Sequence, residues 1–153
     1  MKKSSNKRVI VSVTNDLYTD QRVKKVCDSL VEMNYEILLV GRLLNKNQEL
    51  KRAYKCKRMS LFFNKGALFY AEYNFRLLFI LLFSRVDIFH ANDLDTLLAN
   101  YIASKIRNKP IVYDSHEYFT GVPEIQNKAI NLIATKKFNT NSSIKIKEYL
   151  LDK

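Results

Sequence analysis

Two short clusters in this chain carry the side-chain types that move protons or hold polar ligands. The first is His90, Asn92 and Asp93; the second is Asp114, Ser115, His116 and Glu117. His90 and His116 are the only histidines among 153 residues. Histidine is the side chain whose ordinary titration falls nearest neutrality, so these two positions frame the question of function. Each cluster follows a short apolar run, Asp87 to His90 in one case and Ile111 to Tyr113 in the other.

Those apolar runs read as strands, and a helix joins them. Leu94, Leu97, Leu98, Tyr101 and Ile102 recur at i, i+3, i+4, i+7 and i+8, the spacing of one buried helix face. Asn92 or Asp93 supplies the N-cap, Asp95 suits the positive end of the helix dipole, and Pro110 limits the other end to about Arg107–Asn108. The result is a βαβ unit, and ligands of open parallel sheets bind outside the carboxyl ends of the strands. Both histidines are therefore expected on the ligand edge.

The preceding half repeats the design. Arg8 to Val13 is a β-branched run suited to a fully buried strand, followed by a polar loop, Thr14 to Thr19. Asp20 caps a helix whose Val23, Val26, Cys27, Leu30 and Val31 share one face, and Asn34 ends it in the left-handed conformation. Glu36 to Val40 is the second strand. Residues 42 to 60 are polar and basic, with one short strand expected around Lys55 to Met59. Gly66 to Arg85 reads as a long helix. Within it, Leu77 to Phe83 is the longest apolar run; it is too short to cross a bilayer and is either core or membrane-surface helix. The expected fold is α/β: a Rossmann-like, open, mostly parallel sheet with helices on both faces, in a single domain over residues 1–124. Residues 125–153 keep no steady period and read as an irregular basic tail, with short helices expected from about Pro123 and over Lys145 to Leu151.

Composition removes several functions. The three glycines, at 41, 66 and 121, leave no GxGxxG and no Walker A loop, so a self-contained dinucleotide or nucleotide-triphosphate site is excluded. Two histidines and two distant cysteines do not make a zinc site, and no metal is expected. Ser115 has no glycine-flanked elbow for a hydrolase, and Asp16 lacks the acidic neighbour of a phosphoacceptor domain. Two unpaired cysteines suit a reducing compartment, and the N-terminal apolar run is too short for a secretory signal. The net charge of +11 is concentrated in residues 1–60, with 14 Lys/Arg against 6 Asp/Glu. Such an excess suits anionic lipid or phosphate-bearing partners, or is simply a solvated surface. No nucleic-acid motif is present, so a basic nucleic-acid-binding domain is the weaker alternative.

Three segments taken together resemble a known family. Asn15 to Leu30 (NDLYTDQRVKKVCDSL), His90 to Leu98 (HANDLDTLL) and Val112 to Glu124 (VYDSHEYFTGVPE) are similar to the N-terminal half of retaining GT-B glycosyltransferases, nearest to family 4, or group 1, of bacterial polysaccharide assembly. The likeness covers roughly residues 7 to 125. It implies the acceptor-side domain of a two-domain enzyme that transfers a hexose from a UDP- or GDP-sugar to a glycan or lipid-linked acceptor, without a metal or other cofactor, in the cytoplasm and peripherally at the inner membrane face. It assigns catalysis to His116, the acceptor side to His90, Asn92 and Asp93, and the cleft-facing loop to Asn15, Asp16, Asp20 and Arg22. Asp114 and Glu117 flank His116 on the same edge. The donor-binding domain is not within these residues, so the expectation is a truncated or divergent member, inactive alone. A non-catalytic remnant and one half of a split enzyme with a second-domain partner chain are the alternatives. For His116 and His90, a plain loop or packing role competes with the functional one; for Asp20, Asp93 and Asp95, so does helix capping.

Overall fold

A computed structural model describes residues 6–44 and 50–114. The elements are β1 (Arg8–Asp16), α1 (Gln21–Glu32), β2 (Glu36–Arg42), β3 (Lys55–Met59), α2 (Gly66–Phe83), β4 (Ile88–Ala91), α3 (Leu94–Arg107) and β5 (Ile111–Tyr113). The strands form one sheet in the order β3-β2-β1-β4-β5, and every pairing is parallel. This is the doubly wound, Rossmann-like arrangement. The chain runs outward from β1 through β2 to β3, then crosses back to β4 on the other side of β1. The strand order thus reverses between β1 and β4, which opens a crevice beyond their carboxyl ends.

Alternation along the buried strands assigns the two faces. Val9, Val11 and Val13 of β1 join Ile37 and Leu39 of β2 under Val23, Cys27 and Leu30 of α1. Ile10, Val40 and Phe89 face the other way and pack beneath Phe69, Tyr73, Leu77 and Leu81 of α2 and Ala99 and Ala103 of α3. Every second residue changes face because the strand period is two, and helices on both sides make these strands apolar throughout. The Tyr73 hydroxyl donates to the Val13 carbonyl at 2.5 Å, tying α2 to the end of β1.

Helix ends follow the expected chemistry. Asp20 accepts from the Val23 amide at 3.0 Å, and Asn34 after α1 and Asn108 after α3 adopt φ of 63° and 50°. β1 runs three residues past the expected Val13, its pairing with β2 shifting register between Ser12 and Asp16.

The expected buried face of α3 is corrected. Thr96, Ala99, Asn100, Ala103 and Ser104 are the buried residues, whereas Leu98 is exposed and Tyr101 and Ile102 are half-buried. Small side chains let α3 lie close to the sheet. There the Ser12 hydroxyl meets Asn100 Oδ1 at 3.5 Å and Asn100 Nδ2 donates to the Thr96 carbonyl at 2.8 Å. Leucines in that row would hold the helix away and leave this pair without partners.

Candidate functional site

β1 and β4 end side by side. Ser12 stands opposite Ala91, and the Asn92 amide donates to the Ser12 carbonyl at 3.0 Å, the last link of that pairing. Beyond it α1 and α3 both begin, so two helix N-termini flank the crevice. Asp93 bridges them. Its Oδ2 accepts from the Thr14 amide at 3.3 Å and the Thr14 hydroxyl at 3.4 Å, and its Oδ1 faces Arg22 Nη2 at 3.4 Å. Asp93 occupies the N-cap position of α3 without a side-chain cap bond. Its carboxylate is turned across the crevice, and the Asp93 carbonyl takes the Thr96 amide and hydroxyl at 3.1 and 2.9 Å.

The β1 loop is pinned from the opposite side. Asp16 is buried, accepts from the Tyr18 amide at 2.9 Å and the Leu44 amide at 2.8 Å, and lies 3.3 Å from Arg58 Nη2 of β3. These bonds make Asp16 a clamp that fixes the loop, which differs from the ligand-facing role expected for it. Asp20 is spent on its cap and on Asn15, whose Nδ2 donates to Asp20 Oδ2 at 3.2 Å. Asn15 and Arg22 remain exposed to solvent.

His90 and Asn92 differ from their neighbours. His90 is buried in β4, in register with Val11 and Val112, and its Nε2 meets no hydrogen-bonding partner among the described residues. Burial lowers its pKa below the ordinary value, partly opposed by Asp114, so the ring is neutral at physiological pH. Asn92 is fully buried, and neither its Oδ1 nor its Nδ2 has a partner among the described residues. A buried amide without hydrogen bonds costs about 1–3 kcal/mol. Two such groups at consecutive even positions at the end of β4 mark one place where hydrogen bonding is incomplete among the described residues.

Asp114 follows β5, its amide bonded to the Ala91 carbonyl at 3.0 Å. The structure thus brings Thr14, Asn15, Asp20, Arg22, His90, Asn92, Asp93 and Asp114 to one edge. His116 and Glu117 lie outside the described residues, as does the expected tail. Thr14 and Arg58 were not singled out from sequence. Arg58 is one cation in a basic run, and only its alternation with Lys57 along β3 hinted that it turns inward. No group of three or more His, Cys, Asp or Glu side chains suited to a metal occurs among the described residues.

The side chains brought to this edge combine uncharged polar groups with carboxylates. An amide and an uncharged imidazole offer donors and acceptors without net charge, and the Asp93 carboxylate adds an acceptor. An anionic diphosphate is poorly served here, because Asp93 and Asp95 already place carboxylates at the positive end of α3. Comparison of the chain with protein-family models, with curated proteins and with solved structures found no match.

Proposed function

We propose that this fold is the acceptor-side domain of a retaining GT-B glycosyltransferase, holding a glycan or lipid-linked acceptor at the β1/β4 crevice. The observation that carries the reading is the pair of buried, unpartnered groups, the Asn92 carboxamide and His90 Nε2, at the edge where a parallel sheet binds ligands. Both groups are enclosed, so they form the floor beneath a rim of Thr14, Asp93 and Arg22, and on this reading it is the rim that meets the hydroxyls of a sugar. The carboxylates at the start of α3 support an acceptor in preference to a nucleotide diphosphate. On this reading the UDP- or GDP-hexose is gripped by a second lobe, supplied by another domain or a partner chain, and His116 serves the transfer. Without that lobe the charge developing on the leaving diphosphate is not neutralised, so these residues alone turn over little. The two free cysteines accord with a reducing, cytoplasmic setting.

The test is to titrate the purified chain with neutral oligosaccharides and, separately, with UDP- and GDP-hexoses, following both binding and sugar transfer. Glycan binding that Asn92→Ala weakens, with transfer far below ordinary enzyme rates of ~1–10³ s⁻¹, is the expected result. Tighter binding of the nucleotide-sugar than of any glycan, or full-rate transfer by the chain alone, overturns the assignment.

A further inference from the structure

α2 carries apolar residues on every side, with Glu72, Asn74 and Arg76 as its polar exceptions, yet only 22% of its 18 residues are buried. A helix of that kind belongs inside a core or against lipid. One side meets the first condition: Phe69, Tyr73, Leu77 and Leu81 are buried against the sheet. The opposite side does not. Leu68, Phe75, Phe79 and Phe83 stand exposed in a row, Phe75 at 64% and Phe83 at 81%. Their rings follow one another at 4.9 Å between Phe75 and Phe79 and 6.1 Å between Phe79 and Phe83. α3 packs beside α2 and presents its own exposed Leu98 and Ile106, left outside because its small residues took the sheet side.

The charges around this face are sorted. Glu72 and Arg76 pair with each other at 2.8 Å, and Glu72 also accepts the Phe62 and Phe63 amides. At the C-terminal ends of the two helices stand Arg85, Lys105, Arg107 and Lys109, with Asp87 as the acidic residue in the same stretches. Asp87 is bonded to the Arg8 amide at 3.0 Å and paired with Lys109 at 3.5 Å, and Arg107 donates to the Leu81 and Ser84 carbonyls, so Arg85 and Lys105 carry the outward charge of this margin. An aromatic row with a cationic margin is the composition of a surface that lies in the headgroup region of an anionic membrane. A second copy of the chain is the less favourable occupant, because it brings another net charge of +11 against this one. Spanning is excluded by the fold: Tyr73 is bonded to β1, and Leu77 and Leu81 are in the core.

We propose that the outward face of α2, extended by Leu98 and Ile106 of α3, docks on the surface of an anionic phospholipid bilayer. The two helices run parallel and their N-terminal ends lie at the crevice edge, so the docked face reaches from the margin of the candidate site to the far side of the sheet. The inference stands apart from sugar transfer.

Sedimentation of the full chain with phosphatidylcholine vesicles, with and without phosphatidylglycerol, tests it. Binding to the phosphatidylglycerol vesicles, decreasing as salt is raised, is expected. Replacing Phe75, Phe79 and Phe83 by Gln should weaken that binding at least about tenfold, since the buried apolar area drives interfacial partitioning. The melting temperature should change little, because all three rings are exposed. Leu98→Gln with Ile106→Gln, on the neighbouring helix, should weaken it as well. Arg85→Gln with Lys105→Gln should reduce the preference for phosphatidylglycerol. A wild-type chain that stays in solution with both vesicles, or a triple variant that binds like wild type, overturns the proposal. So does a wild-type dimer that the triple variant converts to monomer, since a second copy would then cover the face. None of these readouts uses a glycan or a nucleotide-sugar, so this inference and the proposed function fail independently.

Discussion

Asn92 is held with its carboxamide fully enclosed and unmatched among the described residues, an arrangement a folding optimum would not select. Replacing it with alanine, which has no polar side-chain atom and leaves only a small cavity, removes that penalty. Asn92→Ala should therefore leave stability unchanged or raise it by up to about 1 kcal/mol, read as a denaturant midpoint that does not fall, while glycan binding falls. A lowered midpoint would mean that the amide already has a partner in the fold. His90 makes a second prediction at this scale. Its folded pKa lies below the unfolded value because burial disfavours the charged ring, with Asp114 acting the other way. Above the unfolded pKa of roughly 6.5 both states are neutral, and the full stability is present. As pH falls below that value the unfolded chain takes up the proton first, so stability declines toward the folded pKa. Urea midpoints measured from pH 7.5 to 5.5 should fall for wild type and fall less for His90→Gln; equal slopes would exclude His90 as the source. Cys27, whose thiol burial pushes up to about 12, stays protonated throughout this range and does not contribute.

The elements are joined at a few close approaches, and Gly41 sits at one of them. A Cβ built there meets the Leu17 side chain, with Cγ at 2.9 Å, and lies 3.1 Å from the Asn15 carbonyl. Leu17 is itself buried, so it has little room to retreat. Gly41→Ala should cost about 1–3 kcal/mol and should also disturb the β1 loop carrying Asn15 and Asp16. Thermal melting beside Asn15 side-chain NMR shifts would check both effects, and an unchanged melting temperature would show the loop to be slack. The same scale explains α3. Its residues offer two rows with helical period, a bulky one of Leu94, Leu98 and Ile102 and a small one of Thr96, Ala99, Asn100 and Ala103. Close packing on Ser12 selects the small row.

Taken whole, the molecule carries +11, and several described ion pairs lie at the surface, among them Lys24–Asp28 and Lys109–Asp87. Exposed pairs contribute only ~0–1 kcal/mol each, whereas self-repulsion acts on the entire compact state. Screening should therefore help more than it harms: the melting temperature should rise as sodium chloride increases from low concentration to about 0.15 M, where the Debye length is about 8 Å. A falling melting temperature would show that the ion pairs outweigh the repulsion.

Local chemistry determined much of this molecule in the sequence itself. β-Branched runs marked strands buried on both sides, Asp20 and Asn34 marked the ends of α1, and the positions of three glycines excluded a phosphate-cradling loop. The clusters at His90 and Asp114 were legible as one edge because both follow strands joined by a single helix. Only the tertiary structure decided which row of α3 is buried, that Asp16 is a clamp held by Arg58, that the Asn92 carboxamide has no partner among the described residues, and that half of α2 is uncovered. The physical reason is common to all four. Periodicity and capping depend on neighbours within a few residues, whereas burial and hydrogen-bond completion are settled by groups that approach from other elements.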